Sequence, residues 1–407
     1  MNMKLLDHKF AKIKSITAEV KTLGGQIYIV GGSVRDAFIG KDSKDLDIVV
    51  TGIGLDSLLS ILGRNGKIKE VGKSFGIIKF VPFGEKEEID VALPRTEKKI
   101  DTGHKGFEIT VDHLLPIEED LKRRDFTINS IAYSSEGDLV DPFGGVFDLE
   151  YRVIRMTNST AFGEDPLRML RAIQFSSRFD FKIEKNTLNQ ISMNAHLIRE
   201  ITPERILIEF EKIVSKGSPL IGAELLFKTG LFYHIFESPV TRRFSTIGLF
   251  KKIKTLGEFM TLLFMSRNIE AIRIENGSDF FKNRMKGDID TYKEIKALEI
   301  GLSNPIHHFF GSTQSRLMAF DIYNLSKRAF NSNLFDSVLE VAIEELRRGK
   351  FPKTLKELEI NGNDLIELGF SGVKIGEILK KALLEIFKET IENKKEQLLE
   401  FAITFKK

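Results

Sequence analysis

The spacing of apolar residues divides the chain into two kinds of segment. Residues 26–50, 68–82 and 86–93 carry short apolar or β-branched runs punctuated by Gly and Pro, which predicts strands. Residues 130–156 predict a further strand and turn, around IAYSSEGDLVDPFGG. From about residue 164 the period lengthens. DPLRMLRAIQFSSRF, PERILIEFEKIV and LIGAELLFKTGLF repeat their apolar positions at helical spacing, and the pattern runs to the end with breaks at NGSD, LSNP and INGND. The N-terminal twenty residues read as a short amphipathic helix. The expectation is an α/β head of about 150 residues followed by an all-helical remainder.

The first strand region holds the most informative stretch, IVGGSVRDAFIGKDSKDLDIVV at residues 29–50. A strand enters a Gly-Gly turn, a helix follows, and Asp45-Leu46-Asp47 opens the next strand. Side chains alternate along a strand, so Asp45 and Asp47 share a face while Leu46 points into the core. Two adjacent carboxylates repel unless a cation lies between them, and Mg²⁺ binds through one or two carboxylates plus substrate phosphates. Gly31 and Gly32 let backbone approach a phosphate, and the helix N-terminus behind them favours negative charge. The stretch reads as a site for a nucleoside triphosphate and metal. A solvated strand edge is the bland alternative for an isolated DxD, but the GGSVRD ahead of it favours the catalytic reading.

Composition narrows the picture in three ways. The chain has 407 residues and no cysteine, which excludes disulfides, zinc–thiolate sites and thiol chemistry. No apolar run approaches the roughly 18 residues that span a bilayer, and no signal-peptide core is evident, so a cytoplasmic location and no membrane partner are expected. With 61 basic and 58 acidic residues the charge permits an RNA partner without requiring one.

The motifs together carry a resemblance. GGSVRDAFIGKDSKDLDIVV, LKRRDFTINSIAY (121–133), DPFGGVFDLEYRVIR (141–155), GEDPLRMLRAIQF (163–175) and TPERILIEF (202–210) resemble, in order, the five motifs of the class II tRNA nucleotidyltransferase and bacterial poly(A) polymerase family. NGNDLIELGFSGVKIGEILK (361–380) is similar to the tail of its tRNA-specific members. The resemblance implies an α+β fold: a polymerase-β-like head with a small mixed sheet (1–150), then a helical neck (151–215), body (216–300) and tail (301–407). It implies template-independent addition of CCA to tRNA 3′ ends from CTP and ATP, with Mg²⁺ as cofactor and the tRNA acceptor and T arm as partner. An A-adding enzyme with a separate CC-adding partner, or a poly(A) polymerase, is the alternative. The oligomeric state stays open.

Site roles follow from the same resemblance. Asp45 and Asp47 would hold the metal, with Asp90, alternating with Ile89 and Val91, as a possible third carboxylate. Gly31, Gly32, Ser33 and Arg35 would meet triphosphate oxygens, with an ion pair to Asp36 or Asp42 as the alternative for Arg35. Asp125 and Asn129, four residues apart, would share a helical face and read the ribose, or Asp125 would cap a helix. Glu164, Asp165 and Arg168 would read the base, Asp165 and Arg168 presenting a Watson–Crick-like edge and Glu164 bracing Arg168. Asp165 also suits a helix N-cap, and Glu164 with Arg168 a plain surface ion pair. Arg123, Arg124 and Arg171 are candidate phosphate or RNA contacts. Glu204 and Arg205 are expected to stabilise neck helices. Residues 94–119 match the flexible loop the family uses to switch from C to A addition, or form a surface hairpin turning at Gly103 and Gly106. No His-Asp dipeptide occurs, so phosphohydrolase activity is not expected; His307 and His308 read as structural.

Overall fold

The computed structural model describes residues 3–43, 46–72, 77–99, 107–237, 247–266, 277–302, 312–334 and 337–406. Asp45, Gly103, Gly106, His307 and His308 lie outside these residues. The chain divides into two units, Met1–Glu237 and Ser238–Lys407.

In the first unit, α1 (Met3–Ala11) and α2 (Lys14–Thr22) replace the single helix expected at the N-terminus. Helix α2 buries Ile16 and Val20 and packs on β1 (Gln26–Val30). There follow α3 (Gly32–Phe38), β2 (Leu46–Thr51), α4 (Leu55–Asn65), β3 (Gly66–Gly72), β4 (Ile77–Pro82) and β5 (Ile89–Ala92). Next come β6 (Arg95–Lys99), β7 (Phe107–Val111), α5 (Ile117–Lys122), a 3₁₀ turn at Thr127–Asn129, β8 (Ala132–Ser134) and β9 (Leu139–Val140). Seven strands form one sheet in the order β3-β4-β5-β2-β1-β8-β9. Only β2 and β5 pair in parallel within it, so the sheet is mixed. Strands β6 and β7 form a separate antiparallel hairpin, pairing Arg95 with Val111 and Lys99 with Phe107.

Register positions the chemistry. Strand β1 pairs Tyr28 with Val49 and Ile29 with Ile48, which leaves Asp47 one step along, at the end of β1 where the chain turns through Gly31 and Gly32. On the other side Val30 pairs with Ala132, and Gly31 N–H donates to Ile131 O at 3.2 Å. The 3₁₀ turn thereby sits beside the glycine loop. Tyr28, Val30 and Val49 pack with Ile117 and Leu121 of α5, a small apolar core beneath that end of the sheet. Leu46 is buried and Asp47 half-buried, as alternation requires.

Helices dominate from there: α6 (Gly145–Glu150), α7 (Ala161–Glu164), α8 (Leu167–Phe179), α9 (Lys185–Asn194) and α10 (Pro203–Lys216). Helix α8 buries Met169, Leu170, Ala172 and Ile173 and packs against α10. Pro203 occupies the first turn of α10, where its missing N–H costs nothing. The described residues of the second unit contain helices and turns and no strand. Leu298, Ile322, Ile343, Leu383, Phe387 and Leu398 belong to its core. The tail motif forms two helices, Gly362–Glu367 and Val373–Phe387, the first opened by an Asn361–Asp364 capping box. No helix among the described residues is long and apolar enough to cross a membrane.

Candidate active site

One cavity of about 420 Å³ gathers most of the sequence candidates. Gly31, Gly32, Arg35, Asp47, Arg123, Arg124, Asp125, Asn129, Asp165, Arg168 and Arg171 line it, as do Leu167, Phe175 and Arg205. Six arginines face three aspartates in that lining.

At the glycine loop, Gly31 has φ +63°, open to glycine and strained for other residues. A Cβ there would lie 2.6 Å from an Arg124 terminal nitrogen, so the glycine is what lets Arg124 close over the loop. Arg124 donates to Asp120 at 3.1 Å, while its Nε is buried without a partner. Arg123 donates twice to the other Asp120 oxygen, at 3.0 and 2.7 Å. Asp120 is fully buried. Burial opposes its ionisation, but the charges of Arg124 and Arg123 outweigh it and hold the carboxyl below its usual range.

Asp47 stands beside Asp90 in the parallel β2–β5 register, the two side chains sharing a sheet face. Asp90 accepts from Lys79 at 3.1 Å, and Glu88 and Asp90 hold the Lys79 ammonium above the ordinary lysine range. Asp90 therefore already has one cationic partner. Hard carboxylate oxygens at a sheet end are the donor set a divalent cation takes, so the chemistry of this pair fits a metal.

Arg35 has formed the ion pair that its sequence alternative described. Its Nε donates to Asp36 at 2.8 Å, one terminal nitrogen lies 2.7 Å from the same oxygen, and the other donates to Asn129 Oδ1 at 2.7 Å. Asp42, the other candidate partner, pairs with Lys9 at 3.7 Å. Burial lowers the Arg35 pKa against the pull of Asp36.

Asp125 and Asn129 do not share a helix. An antiparallel bridge, Phe126 to Met156, and the Thr127 hydroxyl bond to Asp148 at 2.6 Å hold the segment extended until the 3₁₀ turn. The pair still meets: Asn129 Nδ2 donates to Asp125 Oδ1 at 2.9 Å, and Phe126 N–H donates to the same oxygen. Asp125 Oδ2 accepts from Arg171 Nε at 2.8 Å and from its terminal nitrogen at 2.7 Å. All four acceptor sites of that carboxylate are occupied. Burial again opposes ionisation, and Arg171 with Asn129 overrides it, so Asp125 titrates below its usual range.

Arg168 is locked in plane. One terminal nitrogen donates to Glu164 at 3.1 Å and the other to Arg123 O at 2.7 Å. Asp165 is extended, with Pro166 rather than Asp165 preceding α8, yet Asp165 Oδ1 accepts from Leu167 N–H at 3.2 Å. Arg205, expected only in helix packing, donates to both Asp165 oxygens at 3.4 and 3.2 Å and lines the cavity. Asp120 was legible from its three- and four-residue spacing to Arg123 and Arg124. Arg205 lies 40 residues from Asp165, and no local signal joins them.

Comparison with known proteins is consistent with this geometry. The Poly A polymerase head domain family matches residues 27–155, a probable RNA and SrmB binding site of polymerase A matches 180–242, and tRNA nucleotidyltransferase domain 2 matches 340–402. The CCA-adding enzyme of Ligilactobacillus salivarius is 31% identical over 415 residues, 97% of this chain and 96% of that protein. The chain belongs to the CCA-adding enzyme family. The multifunctional CCA protein of Haemophilus influenzae is 39% identical over 217 residues, 52% of this chain and 50% of that protein, so the chain spans about half the length of that relative. Among solved structures, the Bacillus stearothermophilus CCA-adding enzyme in complex with CTP superposes with a TM-score of 0.69 at 27% identity, covering 98% of this chain and 97% of that one. The α+β architecture expected from the sequence is thus the architecture of CCA-adding enzymes.

Proposed function

We propose that this chain rebuilds tRNA 3′ ends, adding C, C and A from CTP and ATP without a nucleic-acid template. One observation carries the reading: the glycine loop with Asp47 and the Asp165–Arg168 pair line a single cavity. A phosphate-and-metal end and a base-reading end then lie within reach of one nucleotide.

In this reading Gly31, Gly32 and Ser33 cradle the triphosphate, with Arg35 in the same helix and Arg123 and Arg124 across the cavity. The buried Arg124 Nε without a partner suits a site whose anion arrives with the substrate. Asp45 and Asp47, with Asp90 alongside, would hold the divalent ions of the family, and we assign Mg²⁺ from their hard oxygen donors. Such ions stabilise the attacking and leaving oxygens of an in-line displacement. The tRNA 3′-hydroxyl oxygen attacks the α-phosphorus while its proton passes to solvent; a new P–O bond forms, the α–β phosphoanhydride bond breaks, and pyrophosphate leaves. Asn129, with a second amide hydrogen beyond that given to Asp125, is assigned to the ribose hydroxyl, and Asp125 holds it there.

Base choice rests on Asp165 and Arg168. Asp165 Oδ2 takes one bond, from Arg205, and retains an acceptor site. Cytosine and adenine each present an amino donor to it, whereas uracil presents a carbonyl. Glu164 and the Arg123 carbonyl hold the Arg168 plane against the base. We assign this tRNA chemistry to the cytoplasm. The described β6–β7 hairpin matches the position of the loop expected to serve the C-to-A switch.

The test incubates the protein with tRNA ending at the discriminator base, CTP, ATP and Mg²⁺. Three added residues support the proposal. Addition of A to tRNA ending in CC, with no C incorporation, replaces it with the A-adding reading, and long A tails on generic RNA replace it with poly(A) synthesis.

A further inference from the structure

Asp47 and Asp90 are Cα partners in the parallel β2–β5 pair, each the second residue of its strand. A turn can join the ends of antiparallel strands, but the leading ends of parallel strands arrive by separate routes. Here one comes from the loop after α3 and the other from the turn after β4. Helix α1 reaches both. Lys9 donates to Ser43 O, four positions ahead of Asp47, and its ammonium pairs with Asp42 at 3.7 Å. Lys12, in the turn that follows α1, donates to Glu87 at 2.9 Å and lies 3.7 Å from Glu85; Glu87 is three positions ahead of Asp90. Leu46 and Ile89, paired in register directly ahead of the two aspartates, line one recess with Lys9 and Lys12. The helix is itself anchored elsewhere on the sheet. Leu6 is fully buried, Asp7 accepts from the Tyr133 hydroxyl at 2.8 Å, and the Phe10 ring lies 6.1 Å from that of Tyr133 on β8.

We propose that Lys9, assisted by Lys12, is a positioning residue for the metal: α1 clamps the leading ends of β2 and β5 and so fixes the spacing of the carboxylates that hold the divalent ion. The inference rests on the reading of Asp45, Asp47 and Asp90 as metal ligands given above. Three observations carry it. Lys9 is only 8% exposed, and an ammonium that deep is costly unless it is paired; its partners belong to the loop that enters β2. Its bond goes to a main-chain oxygen, so it holds backbone and not a side chain that could rotate away. The two lysine bonds span 34 and 75 positions, joining the N-terminal helix to two loops that the β2–β5 ladder leaves separate at their start. Helix α1 also lies ahead of residues 27–155, which the head-domain family matches, so the clamp reaches these strands from outside that domain. Neither lysine is among the residues lining the nucleotide cavity, which makes both supports for the ligands and not ligands themselves. Outer supports of this kind are worth about 10–100-fold in metal affinity or activity.

The experiment uses the full chain with Lys9→Met, which keeps the stem and removes the donors, and with Lys12→Met. Without tRNA no transfer occurs, so Mn²⁺ is titrated into chain and CTP, its binding is read by electron paramagnetic resonance, and a protein-free CTP titration is subtracted. A second reading is the Mg²⁺ concentration that half-saturates CMP addition to tRNA. For Lys9→Met the expected result is a Mn²⁺ affinity weakened about tenfold and a Mg²⁺ requirement raised by a similar factor, while KM for CTP at saturating Mg²⁺ and retention of tRNA stay within about twofold. A helix that only stabilised the fold would lower the melting point and leave both metal readings of the folded chain unchanged, and that result overturns the proposal. Lys12 keeps 27% of its side chain in solvent, so Lys12→Met is the variant that preserves the fold. Should Lys9→Met fail to fold, a Mn²⁺ affinity weakened about threefold or more in Lys12→Met supports the clamp, and a smaller change overturns it. A wild-type chain that binds Mn²⁺ with CTP but adds neither C nor A overturns the proposed function, and the same titration still reads the clamp. An active wild type with Lys9→Met unchanged in both metal readings overturns the clamp alone.

Discussion

Replacing Asp120 by Asn removes one charge and almost no volume. Breaking a buried ion pair costs about 3–5 kcal/mol when the partner stays behind uncompensated. Here two partners stay behind, but Arg123 and Arg124 keep 20% and 18% of their side chains in solvent, which relieves part of the stranded charge. About 2 kcal/mol is the expected loss, or a melting point lower by about 4–8 °C for a unit of this size. The pH dependence is the sharper test. Asp120 ionises below its ordinary range in the folded chain, so its contribution is complete above the unfolded value near 3.9 and vanishes as pH falls through the folded one. Paired calorimetric melts at pH 7, 5 and 3.5 should show a full gap between wild type and Asp120→Asn at the first two and a shrinking gap at the third. The substitution should also reach base choice, because Arg123 O is what accepts from Arg168 at 2.7 Å. Release of the Arg123 side chain loosens that carbonyl, and UTP misincorporation rises. No gap at pH 7, or one undiminished at pH 3.5, refutes the argument.

Other substitutions probe separate parts of the cavity. Asp47→Asn should abolish nucleotide addition while tRNA binding, read by filter retention, stays within about twofold, because it removes metal-ligating charge without touching the core. Gly31→Ala at φ +63° should cost about 1–3 kcal/mol and displace Arg124, so both the melting point and the KM for CTP and ATP should worsen. Arg205→Gln should leave stability within about 1 kcal/mol, since both partners of the Asp165 pair are a quarter exposed, yet weaken discrimination between CTP and UTP in competition assays.

Local pattern revealed much of this fold and part of its site. Period-two runs located the head strands, and the Gly-Gly turn before DxD located the loop beside Asp47. The Asp125–Asn129 spacing suggested a helix because spacing registers only neighbours along the chain. The bridge from Phe126 to Met156 and the Asp148 bond to Thr127 override it from 30 and 21 positions away. For Arg35 the sequence offered two acids within reach and could not choose; the choice depends on α1, whose Lys9 engages Asp42. Arg171 and Arg205 acquire their partners 46 and 40 residues away, and such pairings emerge only once α8 and α10 are packed.

Those two long-range pairs, with four local ones, explain how so many cations coexist in one small cavity. Six arginines line it, and five carboxylates hold them: Asp36 for Arg35, Asp120 for Arg123 and Arg124, Glu164 for Arg168, Asp125 for Arg171 and Asp165 for Arg205. Each bond fixes a guanidinium before any ligand arrives, so the reorganisation that flexible cations would undergo in water is already done. The same bonds cancel most of the charge and leave little to hold an anion by attraction alone. Selection must then come from where the remaining donors and acceptors point. Arg124 points over Gly31, and in the proposed reading the remaining acceptor site of Asp165 meets the base, two positions linked through Asp120, Arg123 and Arg168. On that reading a nucleotide that satisfies one end but not the other meets cations already held in place, and we propose this as the way a protein without a template chooses a base.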